Sequence, residues 1–422
     1  MILDPTIPAF FIASLIIFIG FFGSVLLNRY NVPDAIFLIA LGYFLGPGSH
    51  LIFGSPLINP SYFKGIAPYI GGLALIAIMF ESSLGIDINE LIMTARPALI
   101  LSISSFIVSV IAAFIFLHYV LGLFPDPLVS LLIATIIGGS SGAVVASIAP
   151  RVSMPSNMQL TLSLESVLTD VYVIVSAVTI LSIFKGGSLL GIEAIGSYIA
   201  SRFSVSLVIG GLAGIFLSII LHRFRREKHL YVMTFAFLIL LYAGTESLGG
   251  SGAISVLTAG ILLSNIGIFS GFLKNPEMLE IVKFQKYSLE TLHSELTLLI
   301  RIFFFVEVGL ILSFTNLYGL IVALAISFIL LFSRLPSAYV TAKVLGFDIG
   351  RGTAATTISL FYARGLAAAV MAVIAESQLS QILTNDVAGL LLEIPSAVIL
   401  FSNLILTVGV ALLRKRISRL LY

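Results

Sequence analysis

Two carboxylates, Glu165 and Asp170, stand in the stretch Leu164-Glu165-Ser166-Val167-Leu168-Thr169-Asp170-Val171, inside a segment otherwise apolar enough for lipid. A charged side chain at bilayer depth costs roughly 2.5–3.5 kcal/mol on insertion scales, so such groups face a partner, a cavity or an ion. At about 100° per residue, five positions rotate the two by about 140°, so they cannot serve one site together. Ser166 lies one helical turn before Asp170 and shares its face, with Thr169 at the edge. One carboxylate and two hydroxyls form a hard oxygen set suited to an alkali cation or a proton. Glu165 points elsewhere and needs a positive partner. Arg301, Arg334 and Arg364 are the candidates, all in later apolar segments. A Glu165–Arg334 pair would be structural, because a guanidinium stays charged and makes fork-like pairs with carboxylates.

The elements that carry these groups are read from composition. The 422 residues are 59% hydrophobic and 10% charged, with a mean hydropathy of +1.15. Soluble domains carry about 25% charged residues, so this is an integral membrane protein. Apolar runs of about 20 residues recur along the chain, each long enough to cross the hydrocarbon as a helix. Cysteine is absent, which excludes disulfides, thiolate metal sites and thiol catalysis. The net charge of +2 gives no reason to expect a nucleic-acid partner. Among the residues there is no metal-ligand spacing, phosphate loop or nucleophile–base motif, so the chain is not read as an enzyme and no cofactor is expected.

About thirteen spans are expected, near 8–27, 34–53, 67–86, 97–121, 128–149, 158–183, 199–221, 230–246, 251–272, 292–314, 317–342, 353–375 and 389–413. The first has no basic leader or cleavage site and reads as a spanning helix. The polar stretch Leu273 to Thr291 reads as an amphipathic helix on the membrane surface. Alternating the loops places sixteen of the 22 basic residues on one side, from Arg29 to Arg419. Only Lys64, Lys185 and Arg202 fall on the other side. That bias puts the C-terminus in the cytoplasm and the N-terminus outside a plasma membrane.

An odd count allows two six-span halves of opposite orientation around a linking helix. The fifth span contains Ile137-Gly138-Gly139-Ser140-Ser141-Gly142, and the twelfth contains Phe361-Tyr362-Ala363-Arg364-Gly365. These are matching positions in the two halves. Glycine clusters there predict broken helices, the usual mark of an ion site in secondary transporters. Ser140 and Ser141 join the candidate ligands. Arg364 would offset the negative ends of the half-helices at its break. Glu81, in Phe80-Glu81-Ser82-Ser83-Leu84, is a candidate for gating or pH response. Glu307 sits deep in the tenth span without an evident role, and Arg301, six residues earlier, is off its face.

The set resembles the monovalent cation:proton antiporter family, in its NhaP branch of sodium–proton exchangers. The residues carrying the likeness are Asn31-Val32-Pro33 with Gly42-Tyr43-Phe44-Leu45-Gly46-Pro47, Phe80-Glu81-Ser82-Ser83-Leu84, and Glu165-Ser166-x-x-Thr169-Asp170. Gly249-Gly250-Ser251-Gly252-Ala253, Arg301-x-Phe303-Phe304-Phe305, Ser333-Arg334 and Ala363-Arg364-Gly365-Leu366 continue it in order. The resemblance implies a 13-span all-α fold and a homodimer. It also implies a single exchanger domain over 1–422, in which core helices (about 97–183 and 317–413) move against dimerisation helices (about 1–90 and 199–314). It matches Asp170 and Ser166 to the cation and proton site, and Glu165 and Arg334 to the structural pair. The chain departs from the family pattern in two places. Thr169 replaces an Asn, and Ser140-Ser141 replaces a Thr-Asp, which is closer to the potassium-efflux relatives.

The expected activity is electroneutral exchange of one monovalent cation for one proton, Na⁺ first, with K⁺ or Li⁺ as alternatives. Asp170 would bind either species, with Ser166 beside it. The rival readings are a gated potassium-efflux pathway of the same fold and a non-transporting membrane scaffold. Expected partners are a second copy of the chain, membrane lipid and the transported ions, with room for a separate regulatory subunit.

Overall fold

The computed structural model describes residues 6–30, 32–59, 66–86, 88–152, 154–184, 192–224, 227, 229–265, 276–312, 317–347 and 352–417. The described residues are helical, as an apolar backbone without water requires. In chain order the main helices are α1 (Thr6–Arg29), α2 (Asp34–Tyr43), α3 (Ala67–Leu84), α4 (Ile88–Ile115) and α5 (Pro127–Ile136). They continue with α6 (Gly142–Ile148), α7 (Ser156–Phe184), α8 (Ile192–Arg223), α9 (Leu230–Ser247) and α10 (Gly252–Ser264). The chain ends with α11 (Pro276–Ile311), α12 (Leu317–Val344), α13 (Thr353–Leu360), α14 (Leu366–Leu379) and α15 (Asn385–Ile417).

Among the described residues, eight helices are long and apolar enough to span a membrane by themselves. Of the remaining expected spans, the second, fifth, ninth and twelfth coincide with shorter or interrupted helices, and the tenth lies within the long helix α11. Both breaks expected from glycine lie where the sequence places them, between α5 and α6 and between α13 and α14. The second span bends at Gly46 (φ −102°, ψ −108°), just before Pro47, which cannot donate to the preceding turn.

Two expectations are corrected. The stretch read as a separate surface helix is, from Pro276, the first part of the single 36-residue α11. Nothing between Glu277 and Val308 is a glycine or proline, so no residue stops the helix. Arg202, assigned to an outer loop, lies inside α8 and is 7% exposed. The loop lysines Lys64, Lys185 and Lys274 and the end of the chain from 418 lie outside the described residues.

The chain divides into two compact units. The first comprises Met1–Gly71, Ala95–Val173 and Arg301–Tyr422. In it α2 and α11 cross at Gly42 and Gly309, where a Cβ on either would strike the other helix's backbone. Small residues permit such close approach, which matters in lipid because packing rather than apolar burial draws helices together. A core of Leu101, Ile148, Met158, Leu162, Ile358, Phe361 and Leu406 ties α4, α6, α7, α13 and α15 around the breaks.

The second unit comprises Gly72–Thr94 and Ile174–Ile300. Here Gly210 and Gly214 of α8 sit against the backbone of Ser255 and Ala259 of α10. Arg202 donates to Glu246 at 2.7 Å and to the Gly250 carbonyl at 2.6 Å, holding the α9–α10 turn. Glu246 also accepts from the Gly252 amide at 2.8 Å. His293, fully buried, donates from Nε2 to the Ala77 carbonyl at 2.6 Å and so accepts at Nδ1 from the Tyr231 hydroxyl at 2.9 Å.

Candidate ion site at two crossed helix breaks

The first break opens because Gly138 and Gly139 end α5, leaving Ser140 and Ser141 outside regular helix. Asp126 caps the start of α5 through the Leu128 amide at 2.8 Å, with Pro127 at the first helical position. Ser141 is extended (φ −97°, ψ 119°) and its amide donates to the Ala363 carbonyl at 2.9 Å. The two breaks are therefore bonded to each other directly. A Cβ on Gly365 would collide with the Ser141 side chain, so glycine there lets the strands touch.

The second break hangs on α15. The Arg364 amide donates to Ser402 Oγ at 3.0 Å, and Asn403 Nδ2 donates to the Arg364 carbonyl at 2.8 Å. Its guanidinium is buried at 1% exposure, with its carbon 5.8 Å from the Tyr362 ring centroid. Arg364 Nε and Nη1 have no hydrogen-bond partner among the described residues.

Glu165 is fully enclosed. Arg334 donates to both of its oxygens at 2.9 Å, in the bidentate arrangement that suits a guanidinium. Arg334 Nε also reaches the Ile358 carbonyl at 3.3 Å, anchoring the pair to α13. The Ser140 hydroxyl donates to Glu165 Oε2 at 2.9 Å. The Ser140 amide donates to Thr169 Oγ1 at 3.1 Å, and Thr169 in turn donates to the Ser166 carbonyl at 3.1 Å. Ser140 and Thr169, read from sequence as neighbours of Asp170, thus belong to the network around Glu165.

Asp170 differs. It is 8% exposed, and its carboxylate makes no hydrogen bond or ion pair among the described residues. It faces the start of α6: a Cβ on Gly142 would lie 4.0 Å from Asp170 Oδ2 and 3.2 Å from Ser166 Oγ. Ser166 spends its hydroxyl proton on the Ser163 carbonyl at 2.7 Å, which leaves its lone pairs to meet a cation. A hard cation takes oxygen ligands, and a proton neutralises the same carboxylate in the cation's absence. No group of three or more His, Asp or Glu suited to a resident metal occurs among the described residues.

A model of the transmembrane sodium/hydrogen exchanger family matches residues 13–415. The chain belongs to that family. Its fold resembles that of the sodium proton antiporter MjNhaP1 from Methanocaldococcus jannaschii, with a TM-score of 0.75, 22% identity and 98% of each chain covered. The K(+)/H(+) antiporter NhaP2 of Shewanella oneidensis is 25% identical over 270 residues, covering 61% of this chain and 44% of that relative. The NhaP2 of Shewanella sp. strain ANA-3 is 24% identical over 267 residues. The chain thus spans less than half the length of these curated relatives. Family and fold together make it a multi-pass, all-α membrane protein.

The other expected residues are dispersed. Glu81 lies half-buried in the last turn of α3, and Glu307 is buried in α11 with both oxygens unpartnered among the described residues. Arg301 does not reach Glu307; its Nη2 lies 3.5 Å from Asp34 at the start of α2. Sequence reasoning missed Asp34, Ser402 and Asn403. Ser402 and Asn403 carried a readable signal, a polar pair at mid-depth in the last apolar span. Asp34 carried none, because an acid beside Pro33 at a span edge looks like an ordinary helix start.

Proposed function

We propose that the protein is a secondary antiporter that exchanges one monovalent cation for one proton by alternating access. Asp170 is the shared site, and Ser166 supplies a second oxygen. The observation that carries this reading is the unpartnered Asp170 carboxylate, buried beside two crossed helix breaks. A buried charge of that kind is retained where it meets an ion. Glu165 and Arg334 neutralise each other, so one carboxylate changes charge in each half-cycle and the exchange is electroneutral. Ser140 and Thr169 serve by fixing the first break to Glu165. Arg364 offsets half-helix dipoles at the second break.

The cation is Na⁺, K⁺ or Li⁺. The sodium/hydrogen exchanger family and the likeness to the sodium proton antiporter MjNhaP1 favour sodium. Ser140-Ser141, in place of an acid at the first break, and the names of the Shewanella relatives favour potassium, and a gated K⁺/H⁺ efflux pathway is the second reading. The working form is a homodimer in the plasma membrane with a cytoplasmic C-terminus, the helices around the breaks moving against the rest. The test is proton flux in proteoliposomes under imposed Na⁺, Li⁺ or K⁺ gradients. Asp170→Asn abolishes the flux on this account, and retained flux would overturn it. A rate that responds to an imposed membrane potential would overturn the one-for-one stoichiometry.

A further inference from the structure

A pocket of about 50 Å³ opens within the first unit. Its inner wall is Ser141 and Gly365, one residue from each helix break, with Ser147 on α6. Its other wall is Asp34, Arg301 and Phe305. Ser141 lines this pocket and the next residue, Gly142, faces Asp170. The pocket therefore abuts the candidate ion site.

Among the described residues that line it, Asp34 is the only acid and Arg301 the only base. The two are loosely held. Their closest contact is 3.5 Å, beyond ordinary hydrogen-bond length for a charged pair. Arg301 Nε is buried without a partner among the described residues. Their side chains are 14% and 22% exposed, so neither is sealed inside the protein as Glu165 and Arg334 are. Arg334, by contrast, is locked by three bonds of 2.9, 2.9 and 3.3 Å at 2% exposure. Arg334 is a fixed strut, and Arg301 is a tethered cation resting against a carboxylate beside the ion site.

We infer that the pocket is an outer site for the transported monovalent cation, with Asp34 as its carboxylate ligand, Ser141 and Ser147 as hydroxyl ligands, and Arg301 as a tethered occupant that the entering cation displaces. The inference rests on the proposed antiport for its biological meaning, but it concerns binding and can be read without transport. Arg301 competes with the cation for Asp34. Removing either side chain must then shift cation affinity in opposite directions. A pair that merely braced α2 against α11 would lose stability from either change and shift affinity in neither sense.

The experiment is cation-dependent thermal stabilisation of the detergent-purified full chain, titrated separately with NaCl and KCl at constant ionic strength held by choline chloride. Stabilisation follows occupancy of the folded state. Asp34→Asn should raise the half-saturating concentration of the bound cation by about tenfold, the low end of the scale on which a charged cleft concentrates counter-ions. Arg301→Gln should lower it by a similar factor, and Asp34→Glu should restore the wild-type value. Half-saturation unchanged in both variants, or shifted in the same direction in both, would overturn the outer site. Proton flux is measured on the same preparations. Loss of exchange in wild type with the opposed affinity shifts intact would count against antiport and leave the outer site standing.

Discussion

Each unit closes a helix interruption with an arginine–carboxylate pair, and among the described residues only the first unit has a buried, unpaired carboxylate on the same helix as that pair. In the second unit, Arg202 and Glu246 bracket the turn at Gly250 and Gly252, and every charge in that cluster is answered. Glu246 keeps 34% of its side chain exposed, so the pair is partly solvated. In the first unit, Glu165 and Arg334 do the same work at the crossed breaks, at 0% and 2% exposure. Five residues along the same helix, Asp170 is left without a partner among the described residues. The contrast separates scaffolding from chemistry. A buried ion pair next to a chain break is a fastening, and the unpaired carboxylate beside the fastening is the candidate carrier.

That comparison can be broken by stability measurements. Glu165→Gln strands Arg334 in a dry site and should destabilise the protein by about 3–5 kcal/mol, read as a large fall in thermal midpoint in detergent. A fall no larger than that of Arg202→Ala would erase the distinction between the two pairs. Ser140→Ala removes one hydrogen bond to a carboxylate that Arg334 still holds, and should cost about 1.5–3 kcal/mol. Arg202→Ala leaves Glu246 in contact with water and should cost about 1–2 kcal/mol, chiefly through the Gly250 carbonyl. Asp170→Asn should change stability by less than about 1 kcal/mol, because no contact is lost and one unpaired buried charge is removed. A large destabilisation on that substitution would show that Asp170 is part of the scaffold.

Much of this arrangement is legible in the sequence, for identifiable reasons. The glycine clusters at 138–142 and at 365 sit in apolar runs where helix is otherwise compulsory, so the breaks announce themselves. The rotation between Glu165 and Asp170 follows from helix geometry alone, and their surroundings differ: Arg334 and Ser140 bond Glu165, and Asp170 faces Gly142. The assignment of Ser140 and Thr169 to those surroundings did not follow. Their orientation depends on how the first break folds over α7, which no periodicity encodes. Arg202 looked like a loop residue because its partner, Glu246, is 44 positions away, and an arginine near a span edge reads as a topology signal. The unbroken α11 has a similar origin. Its charged first half looks like a different element from its apolar second half, although the backbone sees only a run of helix-forming residues.

The central claim is that Asp170 alone carries the cation and the proton in turn. The most direct measurement is the cation-driven proton flux of wild type and Asp170→Asn, reconstituted in parallel at equal density and equal thermal midpoint. The account predicts flux in the wild type with at least one of Na⁺, Li⁺ and K⁺, and none above protein-free vesicles in Asp170→Asn. Comparable flux in both proteins would contradict it.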